Sequence, residues 1–336
     1  MKRNMRLWIE ELRAAPKKKA LPILSFPSVS LMNISVRELI ASGEMQSMGM
    51  KAVADRVNSA ASVSMMDLSV EAEAFGASAK ISENEVPTII GTLIETEEEA
   101  LALQVPTVKG NRTERYVDAI ARACELITDR PVLAGVIGPF SLAGRLMDVT
   151  EIMMLCYDEP DMVHATLERA TAFLIDYMNA YREAGANGVV VAEPLAGLLS
   201  PALMKEFAAP YMKQVVDAVQ TDDFIVVYHN CGDAVPRLIE DILSCGAAAY
   251  HFGNAIDIQA LLEKIPSDVV VMGNIDPVSQ FAEGTPESIY AETTALLQRC
   301  SVHENFVISS GCDIPPHAKW ENIDAFFRAV DEFYGA

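Results

Sequence analysis

Eight short apolar runs, set between stretches of helical pattern, constrain this chain more than any other feature. They read LPILSFP (21–27), SVSMMDLS (62–69), PVLAGVIGP (131–139), NGVVVAEP (187–194), DFIVVYHNCG (223–232), AAAYHFGN (247–254), DVVVMGNID (268–276) and NFVISSGCD (305–313). Apolar runs of this length suit strands buried on both faces, as in parallel sheets, although periodicity alone leaves buried helix open. Between them, Val163, Leu167, Ala170, Leu174, Tyr177 and Tyr181 recur at spacings of four and three. That spacing predicts a helix to Gly185, with Pro160 in its first turn and Asp158 or a neighbour as cap. Ser200–Pro201 predicts the start of a second helix, which Pro210 should kink or divide. Further helices are expected over 234–244, 256–264, 286–299 and 318–333.

Eight strands alternating with helices predict a (β/α)8 TIM barrel. It would form one domain over 1–336, with an N-terminal helical extension over about 1–19 and an elaboration around 75–115. A doubly wound open sheet is the rival. It is disfavoured because no glycine-rich dinucleotide fingerprint follows the first run and no phosphate loop occurs.

Charge narrows the partners. With 26 basic and 47 acidic residues the net charge is -21, which opposes binding to nucleic acid or an anionic membrane. The basic N-terminus lacks the apolar core of an export signal, and no run reaches the roughly 18 apolar residues of a spanning helix. A cytoplasmic location is expected. The six cysteines are too dispersed for a disulfide framework and are expected reduced.

In such a barrel the carboxyl ends of the strands carry the chemistry. Those ends offer Asp67, Glu193, His229 with Cys231, His251 with Asn254, Asn274 with Asp276, and Cys312 with Asp313. On a strand, residues two apart share a face, so His229 and Cys231 present an imidazole and a thiol side by side. Cys312, from the last strand, could reach them across the mouth. Mixed nitrogen and sulfur donors suit zinc, and three protein ligands leave a fourth position for chemistry. The ordinary alternative, a buried hydrophobic cysteine and a hydrogen-bonded histidine, stays open on spacing alone.

The pairing of HNC (229–231) with GCD (311–313) resembles zinc-dependent methylcobamide:coenzyme M methyltransferases of the uroporphyrinogen decarboxylase superfamily. The resemblance runs from about residue 20 to the C-terminus and includes DLSVEAEAFGA (67–77), GPFSLAG (138–144), GNIDP (273–277) and SSGCDIPPHAKWENI (309–323). It implies a (β/α)8 barrel with His229, Cys231 and Cys312 as zinc ligands. It also implies methyl transfer from a methylated corrinoid (methylcobamide) to a small-molecule thiol. The decarboxylases of the superfamily open with an arginine-rich loop, whereas this chain reads SFPSVSLMNISVREL there, which disfavours uroporphyrinogen as substrate. No cobalamin-carrier motif of the D-x-H-x-x-G type is present, so a separate corrinoid carrier protein is expected.

Roles for the remaining strand-end residues are expectations of the same kind. Glu193 is the candidate fourth ligand, with simple hydrogen bonding as the alternative. Asp67 and Glu71 would orient a zinc ligand or cap the following helix. His251 would be an acid, a partner of a ligand, or a packed histidine. Asn254, Asn274 and Asp276 would contact cofactor or shape turns. Met45, Met48, Met50, Met65 and Met66 would face a corrinoid or fill the core. Two rival functions stand beside methyl transfer: a metal-free lyase using arginines such as Arg37, Arg112 or Arg145, and a non-catalytic corrinoid- or metal-binding protein.

Overall fold

A computed structural model describes residues 3–335. Seven of the eight runs form one parallel sheet. Its strands are β1 (Ser62–Val63), β4 (Val132–Ile137), β5 (Gly188–Ala192), β6 (Ile225–Asn230), β7 (Ala249–Phe252), β8 (Val270–Ile275) and β9 (Phe306–Ser310), paired in that order. The intervening β2 (Ser78–Lys80) and β3 (Thr88–Ile90) make a separate antiparallel hairpin inside the expected elaboration.

The first run is the exception: 21–27 is not a strand. Pro22 has no N–H to give to a ladder. The segment nevertheless bridges the two edges of the sheet. Leu21 N–H donates to the Ile308 carbonyl at 3.0 Å and Ala60 N–H to the Ala20 carbonyl at 2.8 Å. Serine hydroxyls take over where the ladder fails: Ile23 N–H donates to Ser310 Oγ at 3.1 Å, and Ser25 Oγ donates to the Val63 carbonyl. The result is a TIM barrel of seven strands closed by an irregular eighth stave.

Strand alternation divides the apolar residues into two cores. Leu133, Val190, Val227, Val270, Met272 and Val307 point into the barrel, where Met5 and Leu12 of the N-terminal helix Met5–Ala14 join them. That helix is shorter than expected; of the 1–19 span, residues 1 and 2 lie outside the described residues. Val136, Val191, Val226, Tyr228, Val271 and Ile308 point outward onto the helices. Met50 and Met65 fill the outer core, Met66 is buried inside the barrel and Met48 is exposed.

The Ser200 start and the division at Pro210 hold, and the cap position before Pro160 falls to the neighbour of Asp158. Asp158 ends a separate helix, Glu151–Asp158, and the next, Pro160–Glu183, starts from Glu159 with no side-chain cap. After Ser200, whose hydroxyl accepts from Leu203 N–H, the chain passes through a wide π turn, Met204–Ala208, before helix Ala209–Val219. Pro210 supplies no donor to the preceding turn, and the ladder shifts there.

Candidate metal centre at the barrel mouth

The parallel register puts His229 directly beside His251, because β6 and β7 pair those two residues. His229 and Cys231 point to the same side from the end of β6, and Cys312 reaches them from just beyond β9. Gly253 permits the approach: a Cβ there would lie 2.5 Å from the Cys231 Cα. The donor atoms of His229, Cys231 and Cys312 all lie within 4.8 Å of one another, and His229 Nε2 is 3.5 Å from Cys312 Sγ. Zinc bonds of about 2.3 Å to sulfur and 2.0–2.1 Å to nitrogen span tetrahedral edges of about 3.5–3.8 Å, so the set fits such an ion. The hydrogen bond from the Cys312 thiol, aided by His229, holds Cys231 down at about 4 against the opposing effect of burial. The same bond pushes Cys312 well up. The pair therefore carries one thiolate readily.

A chain of hydrogen bonds fixes which nitrogen of His229 is free. Ser309 Oγ donates its one hydrogen to the Leu21 carbonyl at 2.7 Å, so toward His251 Nε2, also at 2.7 Å, it can only accept. His251 must then carry its proton on Nε2. Burial, with His229 alongside, holds His251 well below the usual histidine value, so the ring is neutral and its Nδ1 is an acceptor. His229 Nδ1, 2.8 Å from that nitrogen and 3.3 Å from the His251 carbonyl, must donate. The lone pair of His229 is thereby left on Nε2, facing Cys312. Partners of this kind fix the tautomer and the ring orientation of a ligating histidine.

A cavity of about 140 Å³ opens onto the donors. Ile23, Met66, Leu68, Ala192 and Pro194 form its apolar wall, together with His229, Cys231, Cys312 and Asp313.

Several expected site residues are not part of this centre. Glu193 falls between Ala192 and Pro194 and points the other way. Its oxygens accept from Phe140 N–H (2.9 Å), Ser141 N–H (3.0 Å) and Ser141 Oγ (2.7 Å), capping helix Pro139–Met147. Gly138 leaves room for it, since a Cβ there would collide with its side chain. Glu193 is corrected from fourth ligand to helix cap; burial pushes it up to about 7 despite these bonds.

Asp67 likewise falls between Met66 and Leu68. It accepts from Ser69 N–H (3.2 Å), Ser69 Oγ (2.6 Å) and Tyr116 OH (2.7 Å), and from Arg112, which also binds Glu73 at 2.5 Å. It forms a tight turn onto Ser69 ahead of helix Val70–Ala74 but makes no cap bond to that helix, so neither alternative is met. Glu71 is buried beside it, with Oε1 on the Ile137 N–H and Oε2 unpartnered, and burial pushes it up to about 8.

The turn alternative holds for Asn274, which donates to the carbonyls of Gly253 and Ile256 at 2.9 and 3.0 Å. Asp276 accepts from Val278 and Ser279 N–H groups at the start of a π turn, and Asn254 is exposed beyond β7. His251 does not line the cavity; it is buried behind His229 as its hydrogen-bond partner. Ser309, which holds His251, is the residue of this cluster that sequence reasoning missed. Its signal was weak: a serine in the last strand, where the closing segment lacks a regular ladder.

Fold and site together define a TIM barrel with a sulfur- and nitrogen-rich candidate metal centre at the carboxyl ends of its strands. Residues 28–333 match the Uroporphyrinogen decarboxylase (URO-D) family, and the chain belongs to that family. Among its relatives, "Methylcobamide:CoM methyltransferase MtaA" of Methanosarcina barkeri is 28% identical over 272 residues, covering 80% of this chain and 78% of that protein. A uroporphyrinogen decarboxylase of Neisseria meningitidis serogroup C is 26% identical over 290 residues, covering 83% and 80%. A solved methyltransferase from Methanosarcina mazei has the same fold, with a TM-score of 0.87, 24% identity and 98% of both chains covered.

Proposed function

We propose that this protein is a zinc-dependent methyltransferase that moves a methyl group from a methylated corrinoid, carried by a separate protein, to a small-molecule thiol. The observation that carries this reading is the convergence of His229, Cys231 and Cys312 on one point. The Methanosarcina barkeri relative, named a methylcobamide:CoM methyltransferase, supports the reaction class. Zinc held by these residues would keep an acceptor thiol deprotonated at neutral pH, where a free thiol of pKa about 8.5 is mostly protonated.

The protein's own groups prepare for that. The Leu21, Ser309 and His251 chain presents the His229 Nε2 lone pair, and two cysteine sulfurs supply negative charge to match a divalent ion. The apolar wall of Ile23, Met66, Leu68, Ala192 and Pro194 excludes water from the sulfur being methylated. At about 140 Å³ the cavity admits a small thiol and not a corrin ring, so the methyl donor would meet the acceptor at the mouth, as a carrier protein would present it. A metal-free lyase acting on a carboxylated tetrapyrrole is less well supported. Among the described residues no arginine or lysine lines the cavity, and Arg112 is committed to Asp67 and Glu73.

The test is anaerobic demethylation of methylcobalamin with a panel of thiols. Zinc-reconstituted protein should turn over, and the Cys312→Ser variant should not. Absence of thiol-dependent demethylation by the zinc-loaded protein would contradict the proposal.

A further inference from the structure

The size and lining of the cavity bear on which thiol is the acceptor. Resting on the methyl-transfer reading, we propose that the acceptor is a short alkyl thiol with no charged head group, whose length the apolar wall sets. The cavity beside His229, Cys231 and Cys312 measures about 140 Å³. An apolar cavity of about that size takes a molecule of roughly six carbon atoms, such as benzene. Its wall is hydrocarbon and thioether from Ile23, Met66, Leu68, Ala192 and Pro194. Asp313, the one ionisable side chain there besides the three candidate ligands, turns almost no polar surface to the cavity, and among the described residues no arginine or lysine lines it.

A sulfonate, carboxylate or ammonium inside this wall would lose its hydration and meet no polar partner. A methylene in the same place leaves water for an apolar surface, a gain of about fourfold in affinity. A longer acceptor has no room to carry a charged head outside, because the corrinoid must lie across the mouth for its methyl carbon to meet the sulfur in line. The thiol proton leaves to solvent and a sulfur electron pair forms the bond to the methyl carbon. The pair of the broken carbon–cobalt bond stays on cobalt, which passes from Co(III) to Co(I), and the product is a methyl alkyl thioether. This acceptor differs from the CoM in the name of the Methanosarcina barkeri relative.

The test is a series of straight alkanethiols from methanethiol to heptanethiol, with 2-mercaptoethanesulfonate as a charged thiol of similar length to propanethiol. Binding to the cobalt(II)-substituted protein is read from the sulfur-to-cobalt charge-transfer band, and kcat/KM is measured on the zinc protein with methylcobalamin. Affinity should climb about fourfold per methylene and stop climbing once about six heavy atoms fill the cavity. The kcat/KM should peak at that length and fall beyond it, where the tail obstructs the mouth. Propanethiol should bind and react at least about tenfold better than the sulfonate.

Leu68 is only partly buried, and Leu68→Ala widens the cavity, so the peak should move to a longer chain. A sulfonate that binds as well as propanethiol would overturn the proposal. So would affinity and kcat/KM that climb unbroken to heptanethiol, or a peak that folded Leu68→Ala leaves in place. If Leu68→Ala fails to fold, the wild-type series still decides. Turnover with a sulfonate preference would sink this inference and leave the methyltransferase reading standing; no turnover with any thiol would sink both.

Discussion

Asp67 and His229 are both buried polar residues beyond or near the carboxyl end of a barrel strand, at 4% and 2% exposure. They differ in what remains unspent. Asp67 has four donors on its two oxygens, and Arg112, which supplies one of them, is itself held by Glu73. The His229 ring has its Nδ1 tied to His251 and its Nε2 lone pair directed at two sulfurs and a cavity. The first cluster is a closed ion network that ties helix Arg112–Leu126 to the segment after β1. The second has bonding capacity left over, and that surplus, more than burial or polarity, separates a candidate site from scaffolding.

If that contrast holds, damage to the two clusters should differ in kind. The largest effect is expected from Asp67→Ala, which leaves Arg112 buried without its main partner. The loss should be about 3–5 kcal/mol of stability, with zinc bound per folded chain unchanged. Denaturant melts alongside metal analysis check it, and zinc lost from folded Asp67→Ala protein would erase the distinction.

A smaller effect is expected at Ser309. Ser309→Ala frees the tautomer of His251 and so of His229, and should weaken zinc binding about 10- to 100-fold, whereas Ser309→Thr keeps the hydroxyl and restores it. Competition with a chromophoric chelator measures this. Equal affinity in both variants would show that the chain from Leu21 does not set the ligand.

Glu193→Gln should leave zinc binding within about twofold of wild type, because its carboxylate caps a helix. A drop in zinc content would return it to the ligand set.

One further effect appears only at high pH. Glu71, raised to about 8, keeps its proton in the fold where the unfolded chain, near 4.5, has released it. Its contribution to stability is whole below the unfolded value and is lost as pH climbs through about 8. Glu71→Gln should therefore match wild type near pH 5 and melt higher at pH 9. Parallel melting curves at both pH values would contradict this.

Much of the architecture was legible in the sequence because apolar runs buried on both faces leave an uninterrupted signature. Seven of the eight runs became strands, and the eighth, LPILSFP, kept the position of a strand without its ladder, because Pro22 cannot donate. The H-x-C spacing and its distant cysteine marked the three candidate ligands, and the family resemblance, more than spacing, favoured a metal over ordinary burial. Among the other strand-end residues, Asp67 and Glu193 miss the centre for one reason, the phase of the alternation. Met66 and Leu68 line the cavity and Asp67 between them does not; Ala192 and Pro194 line it and Glu193 between them does not. Being polar at a strand end was not enough, since the side chain must also face inward. The role of His251 depended on the register between β6 and β7, and that of Ser309 on a contact with residue 21, neither of which a single strand's sequence discloses.

The central claim, that His229, Cys231 and Cys312 form one metal grip, is tested most directly by elemental analysis. The samples are untagged protein reconstituted with zinc and freed of excess ion, beside His229→Ala and Cys312→Ser. About one zinc per chain in the wild type, lost in both variants while their folded circular dichroism persists, is the expected result. Zinc-reconstituted wild type that holds no metal, or variants that hold as much as wild type, would contradict it.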